Sequence, residues 1–473
     1  MKKKTARTSS WTEWCLQHQR LLLCAITALL FLVWLPVKLS LYPAAIPGDG
    51  FVMLNQAAGL GRIVNNHSVL YVLLLRGALS LGKAFSLQAD TTLFLFTELQ
   101  SLIAAFVLTW FLLRLLTRKA PLWFVGLALV FFALEPVIPV YSITVLKDTP
   151  YALSFVVFCV LLLDVVRAKQ KPQTRQLVAL GCAGLAVSLF RNQGIYSVLL
   201  ALVVAAIFLR PARRGLVKVA LACGAFIFVL NVAYYALNMS APATDPYGVM
   251  IQQVARVLAG EKQLTHEDEQ VISHIMPLQD WKKLYVPYIV DPIKWSPTFS
   301  DEYFFNNQRA FVHVWLREFL RYPGIYMQAW AFQTKGFWDP LANSPWQYAE
   351  TDVRANSLGV KQINVLRKLT GIDTTSALAT DKMPRYFITP GVLVWLTVIV
   401  SGVLIMRRRA RLLIVLVPAL STIAIMLVST PLAYSLRYVL CLVLTLPLML
   451  YLPFSPRDTT QAENQKTNER LLS

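Results

Sequence analysis

The sequence predicts an all-α polytopic membrane protein with about ten transmembrane helices, and three observations lead to this fold class. Of the 473 residues, 56% are hydrophobic and only 15% are charged, whereas charged residues make up about 25% of ordinary soluble domains. The apolar residues gather into runs long enough to cross roughly 30 Å of hydrocarbon. The basic residues gather between these runs, as they do in cytoplasmic loops of membrane proteins.

The first predicted span, residues 21–42, follows a basic N-terminal segment, residues 1–20. The lysines of this segment place it in the cytoplasm. No convincing small-residue cleavage site follows the apolar run, so we interpret the run as a retained helix and not as a signal peptide. Further spans are predicted over residues 93–117, 121–140, 150–167, 176–190, 194–210, 215–237, 389–406, 412–430 and 435–453.

The apolar segment at residues 67–82 decides the topology. If it crossed the membrane, every later basic loop would move to the outer side, against the positive-inside bias. The segment is also short and carries Arg76 in its middle. We therefore predict that it lies along the outer membrane surface. The sequence then describes a multi-pass protein of the cell inner membrane with both termini in the cytoplasm.

This topology divides the chain into membrane modules and one large outer segment. The N-terminal membrane module, residues 21–237, has seven spans and a structured first outer loop at residues 43–92. An outer loop domain follows at 238–388, then a C-terminal three-helix membrane module at 389–453 and a cytoplasmic tail at 454–473. The outer domain has acidic and basic residues in equal number, and residues 304–322 show a helical pattern.

The net charge of +20 belongs almost entirely to the predicted cytoplasmic segments. It is therefore a topology signal and not a basic patch for nucleic acid, and we expect no nucleic-acid partner. The six cysteines fall outside the large outer segment and show no spacing typical of a zinc site. We expect no structural disulfide in the outer domain.

Two acidic residues on the outer side are candidate catalytic residues. Asp49 follows the first span between Gly48 and Gly50, which leave space for close approach of a ligand. Asp148 lies at the tip of a short outer turn before Pro150. Each carboxylate is a candidate N-cap for the helix that follows, or a general base or metal ligand. The sequence does not show whether the two carboxylates meet.

Four residues at the same level are candidate substrate-binding residues: Lys147, Arg191, Arg437 and His67. A guanidinium at the membrane surface can bind a phosphate with two hydrogen bonds, or it can extend to the lipid headgroups. His67 is a candidate for orienting a substrate, capping the surface helix or binding a metal. The metal ligands remain unassigned, and a divalent cation is the one cofactor that these side chains suggest.

Short motifs around these residues resemble the GT-C superfamily of integral-membrane glycosyltransferases. They are GDGFVMLNQ with Asp49, NNHSVLYVLLL with His67, SITVLKDTPY with Asp148, and the stretches RNQGIY and SLRYVL. In that family an acidic residue follows the first helix, and two helices then lie along the outer surface. A His-Pro-like stretch commonly begins the second of these helices, and this chain has Ser68 in place of the proline.

The resemblance implies a transferase that moves a sugar from a polyprenyl-phosphate donor to a surface polysaccharide or a lipid-linked glycan. The partners it implies are the lipid-linked sugar, a glycan or lipid acceptor, and membrane lipids. The implied reaction is a single inverting displacement in which Asp49 deprotonates or orients the acceptor hydroxyl. Arg191, Arg437 and Lys147 would stabilise the charge that develops on the phosphate.

Two other functions compete with this hypothesis. A polymerase or ligase of lipid-linked glycans would rely on basic residues of the outer domain, namely His266, His274, His313, Arg317 and Arg321. A lipid or glycan transporter is the second alternative. It is disfavoured because charges are scarce at mid-span positions and no pair of broken helices recurs between the two halves.

Overall fold

The computed structural model describes residues 10–168, 170–240, 244–342, 349–356, 358–372, 388–429 and 431–456. It is all-helical, with 75% helix and no strand among those residues. Six helices in this part are long and apolar enough to cross a membrane: Gln19–Ser40, Ala89–Thr117, Asp148–Arg167, Arg210–Ala236, Ala410–Ser429 and Leu436–Phe454. The predicted all-α membrane architecture is confirmed at this level.

The helices are numbered in chain order. The N-terminal half contains α1 Ser10–Gln17, α2 Gln19–Val33, α3 Leu35–Ser40, α4 Gly48–Ala58, α5 Val69–Ala84, α6 Ala89–Thr117, α7 Leu122–Leu134, α8 Val137–Ser142, α9 Asp148–Arg167, α10 Thr174–Phe190, α11 Gly194–Phe208 and α12 Arg213–Ala236. The C-terminal half contains α13 Gly248–Ala259, α14 His266–Ile275, α15 Leu278–Leu284, α16 Asp291–Lys294, α17 Asp301–Asn306, α18 Gln308–Arg321, α19 Pro323–Trp338, α20 Val365–Thr370, α21 Pro390–Met406, α22 Leu413–Ser429 and α23 Leu440–Tyr451.

The membrane helices form one bundle around α9. This helix packs against α6, α10, α22 and α23, and most of its side chains are buried in the main apolar core. Asp148 begins α9 and Arg167 ends it, an arrangement of charges that complements the helix dipole. Because Asp148 is the first residue of α9, it lies at the end of the bundle where this helix begins.

Three of the predicted spans are not regular α-helices throughout, and two of the changes occur at prolines. The span predicted at 121–140 is wrong as a single helix: α7 ends at Leu134, and Glu135 is extended before Pro136, because a proline disfavours helical geometry in the residue before it. The first span divides at Trp34, where α3 begins with Pro36 in its first turn. A short 3₁₀ helix, Leu436–Val439, precedes α23 in the last span.

The first outer loop contains two helices, α4 and α5, that pack against each other. Ser68 caps α5, since its Oγ accepts a hydrogen bond from the Tyr71 amide at 3.1 Å. Arg76 donates from Nη2 to the Gln56 carbonyl at 2.9 Å and from Nε to the Ala57 carbonyl at 3.2 Å. Arg76 thereby satisfies the C-terminal carbonyls of α4 and fixes α4 to α5.

The outer segment after α12 has an apolar core of its own, separate from that of the bundle. Residues of α13–α18 form it, with Trp281, Phe304 and Phe311 fully buried. The helical pattern predicted at 304–322 corresponds to the end of α17 and to α18. Helix α19 then packs against α21 and returns the chain to the bundle.

Three extended segments meet directly above the bundle and position the loops. The segment at Ala45–Ile46 lies between two others: Ala45 pairs with Thr144 and Ile46 with Val353, both in parallel. The Val145 amide donates to the Ala45 carbonyl at 2.9 Å, and the Ile46 amide donates to the Asp352 carbonyl at 2.9 Å. This pairing brings together the chain just before Asp49, just before Lys147 and just after Glu350.

Parts of three predicted segments lie outside the described residues. These are residues 1–9 of the N-terminal segment 1–20, residues 457–473 of the tail 454–473, and residues 241–243, 343–348, 357 and 373–387 of the outer domain.

Candidate functional site

The structure brings all six predicted site residues into one cluster at the end of the bundle where α9 begins. They arrive from separate parts of the chain: Asp49 from α4, His67 from just before α5, Lys147 and Asp148 from the start of α9, Arg191 from the end of α10, and Arg437 from just before α23. Glu350 of the large outer segment joins them through Arg437. The roles assigned to these residues remain predictions.

Asp49 lies among three basic side chains. Its Oδ2 is 2.8 Å from Arg437 Nη2, 3.2 Å from Lys147 Nζ and 4.0 Å from His67 Nδ1. One third of the Asp49 side chain is exposed, at 33%. The carboxylate is therefore held by cations on one side and stays open to a ligand on the other.

The ionisation of Asp49 follows from these neighbours. Burial by itself would raise the pKa of Asp49, but the charges of Arg437, Lys147 and His67 outweigh it and hold the pKa well below its ordinary value. The carboxylate is consequently ionised at neutral and mildly acidic pH.

The alternative in which the two aspartates cap their helices does not match the geometry. Pro47 is the N-cap of α4 and Lys147 is the N-cap of α9, and neither cap position has a side-chain hydrogen bond. Asp49 and Asp148 both lie inside the first helical turn, where a negative charge interacts favourably with the helix dipole. Their carboxylates contact basic side chains instead.

Lys147 and His67 form the more open side of the cluster. Lys147 Nζ lies 3.2 Å from His67 Nδ1. Since Ser68 caps α5, His67 does not serve as the helix cap, and its ring is directed to Lys147 and Asp49.

Asp148 is the deepest carboxylate of the cluster, with only 2% of its side chain exposed. Its Oδ1 is 3.6 Å from Arg191 Nη1, and its Oδ2 is 3.7 Å from Arg437 Nε. The Arg191 guanidinium lies over the rings of Tyr151 and Tyr438, 5.3 Å and 5.5 Å from their centroids. Asp148 thus pairs with the two buried arginines and not with Lys147.

Arg437 links the three carboxylates of the cluster. Besides Asp49 and Asp148, its Nη1 contacts Glu350 Oε2 at 3.2 Å, and its Nη2 donates to Tyr438 Oη at 2.9 Å. Burial raises the pKa of Glu350, the positive charge of Arg437 opposes the shift, and the nearby Asp49 and Asp148 add to it. The Arg437 guanidinium therefore contacts a carboxylate from the first outer loop, one from the second outer loop and one from the large outer segment.

Sequence reasoning missed Glu350. Its stretch, AETDVRAN, carries no motif and lies in the middle of a loop with many other charges. Only the pairing of Ile46 with Val353 brings this stretch beside Asp49, and local sequence contains no signal for a pairing between segments so far apart.

The described residues contain no group of three or more His, Cys, Asp or Glu side chains that could hold a metal ion. The three carboxylates of the cluster are separated by Arg437, and each is paired with a basic side chain. Among the described residues, this arrangement assigns no metal ligand.

The basic residues of the polymerase or ligase alternative all lie on α14 and α18 of the separate outer core. Arg317 pairs with Asp268 and Glu267, and Arg321 pairs with Glu318. The three histidines His266, His274 and His313 are exposed on α14 and α18. These residues belong to the surface of the separate outer core.

Comparison with known proteins gives one finding. Residues 59–468 match the family described as "Family of unknown function (DUF6020)". This range includes every residue of the cluster except Asp49. No curated protein and no solved structure matches the chain. Because the match covers most of the chain, the protein belongs to the DUF6020 family.

Proposed function

We propose that the protein is a membrane glycosyltransferase that moves a sugar from a polyprenyl-phosphate donor to a glycan acceptor at the outer face of the membrane. The observation on which this rests is the ionised, partly exposed Asp49 carboxylate among Arg437, Lys147 and His67. Such a transfer needs a carboxylate for the acceptor hydroxyl and an accessible cation for the leaving phosphate, and Lys147 is the cation at the more open side of the cluster.

In the proposed reaction, the acceptor hydroxyl donates a hydrogen bond to Asp49, which orients its oxygen towards the anomeric carbon. The new carbon–oxygen bond forms as the bond from carbon to the phosphate oxygen breaks, and that electron pair leaves with the phosphate. The depressed pKa makes Asp49 a weak base before attack. The hydroxyl becomes strongly acidic once its oxygen is bonded to carbon, so Asp49 accepts the proton at that stage.

An apolar groove near Arg191 in the sequence supports a donor that has a lipid part. An open groove of about 360 Å³ lies between α11 and α22, lined mainly by apolar atoms of Tyr196, Ile425 and Val428. Gln193, two residues after Arg191, lies at the same groove. This groove supports a substrate with an isoprenoid chain, because the chain can lie among the helices while its phosphate reaches the charged cluster.

We further propose that the protein lies in the cell inner membrane and crosses it ten times. Both termini are then in the cytoplasm. Helices α7, α10, α11 and α21 are apolar but shorter than the six long spans. They pack against the long helices in the same bundle: α10 and α11 against α12, α21 against α22. This arrangement supports counting them as crossings, and it leaves the Asp49 cluster on the outer side.

The proposed function predicts a change in cell-surface glycans. Cells that lack the protein should lose one sugar from a surface polymer and accumulate the matching polyprenyl-phosphate sugar, as measured by mass spectrometry of both fractions. Asp49→Asn should fold normally and reproduce this loss, with transfer in isolated membranes reduced by roughly 10²-fold or more, the usual contribution of a general base.

Asp90→Asn is the matched control, because Asp90 occupies the first turn of α6, as Asp49 does in α4, and is not part of the cluster. It should restore normal glycans. Unchanged glycans in cells lacking the protein would refute the proposed function. Normal transfer by Asp49→Asn alone would refute only the catalytic role of Asp49.

A further inference from the structure

The two arginines that the sequence predicted as phosphate ligands are already engaged within the protein. Arg437 contacts Asp49, Glu350 and the Tyr438 hydroxyl, and Arg191 contacts Asp148 and the Tyr438 carbonyl. Both side chains are nearly buried. A phosphate would have to displace carboxylates to reach them, and breaking a buried ion pair is costly.

Arg354 differs from Arg437 and Arg191 in both exposure and pairing. It is exposed, and the described residues give its guanidinium neither a hydrogen bond nor an ion pair. Its backbone is fixed next to the cluster: the Arg354 amide donates to the Ile46 carbonyl at 3.3 Å, and the Arg354 carbonyl accepts from Asn356 Nδ2 at 3.0 Å. The Arg354 backbone is therefore held in place, while no side chain among the described residues occupies its guanidinium.

The guanidinium of Arg354 lies against the residue that precedes Asp49. A Cβ at position 48 would be 3.1 Å from Arg354 Cζ and Nη2, which is closer than ordinary van der Waals contact. Gly48 thus lets the guanidinium rest directly on the backbone beside Asp49. Lys147 Nζ lies 3.2 Å from the Asp49 carboxylate, next along the chain from Gly48.

We infer that Arg354, together with Lys147, binds the phosphate of the lipid-linked donor at the open side of the Asp49 cluster. Arg437 and Arg191 then act as positioning residues that hold Asp49 and Asp148. This inference rests on the proposed function and names the residue that recognises its donor. A guanidinium presents paired donors to phosphate, and an unpaired, exposed one binds it without first losing a carboxylate partner.

The test is binding of undecaprenyl phosphate to the purified full-length protein, measured by native mass spectrometry from detergent. Arg354→Gln should bind it about ten- to a hundredfold more weakly, the loss expected for one charge-assisted hydrogen-bonded pair, with an unchanged melting temperature. Arg354→Lys should retain part of the affinity, since it keeps the charge but not the paired donors. Arg309→Gln is the control, because Arg309 is an exposed arginine on α18 of the separate outer core.

The outcomes separate this inference from the proposed function. Wild-type protein that does not bind undecaprenyl phosphate would refute the proposed function itself. Wild-type binding that Arg354→Gln leaves unchanged would refute only the role of Arg354. Inorganic phosphate or phosphatidylglycerol binding with equal affinity would show a site for free phosphate or for any anionic lipid, and would overturn the assignment to a polyprenyl phosphate.

Discussion

At the scale of single residues, the Arg437 guanidinium is the centre of the cluster. Arg437 is nearly buried and contacts carboxylates from three loops. Its positive charge keeps Asp49 ionised although burial opposes this. The same contacts leave Arg437 with little capacity for an external anion, and residue type alone did not show that this arginine is already paired.

The depressed pKa of Asp49 leads to a prediction about pH. A lowered pKa means that the carboxylate stays charged as the pH falls, so the wild-type transfer rate should not decline through protonation of Asp49 until below its ordinary pKa of about 3.9. Lys147→Gln removes one of the charges that lower this pKa. The pKa should rise, and the acidic limb of the normalised rate profile should move to higher pH.

The measurement is the transfer rate as a function of pH for the wild type, Lys147→Gln and Lys262→Gln. Lys262 is exposed on the outer segment after α13, and its replacement should leave the profile unchanged. An acidic limb at the same pH in Lys147→Gln and wild type would contradict the electrostatic account. The same linkage predicts that the stability gained from the Asp49 pairs is present above the ordinary pKa and is lost as the pH falls through the lowered one.

At the scale of elements, three short extended segments place the reactive groups. The segments around residues 45–46, 143–145 and 352–354 pair above the bundle. The start of α4 therefore lies directly beside the turn that leads to α9. The sequence identified these loops as outer and charged, but pairing between them depends on backbone hydrogen bonds that leave no pattern in the side chains.

Gly50 is where this packing is closest. A Cβ at position 50 would lie 2.3 Å from the Val145 carbonyl oxygen, a backbone atom that cannot move without shifting Lys147 and Asp148. Gly50→Ala should therefore separate α4 from the start of α9, lower the melting temperature and weaken undecaprenyl phosphate binding severalfold.

Gly77→Ala is the matched control in the neighbouring helix α5, because a Cβ there meets nothing within 4 Å. Alanine in that helix interior should be neutral or stabilising by roughly 0.5–1 kcal/mol. Thermal unfolding followed by circular dichroism compares the two variants. Equal melting temperatures and equal binding would show that the close approach at Gly50 is not required.

At the scale of the whole molecule, the topology predicts which surfaces are accessible from outside the cell. In a cysteine-free background, a membrane-impermeant thiol reagent should label Lys262→Cys and Asp352→Cys, which replace exposed outer residues. It should not label Arg214→Cys or Arg408→Cys, which replace exposed residues in predicted cytoplasmic loops, until the membrane is permeabilised. Labelling of the second pair in intact cells would reverse the predicted orientation.

The sequence by itself determined that the chain is an all-helical membrane protein, because apolar length and composition directly reflect transfer into the bilayer. It also pointed to Asp49, Asp148 and Arg437, since ionisable groups beside apolar spans are rare and costly. Only the tertiary structure decided their partners, adding Glu350 from a loop some three hundred residues away from Asp49 along the chain. Ion pairs and backbone bridges between distant segments depend on how the helices pack, and no local pattern of residues specifies them.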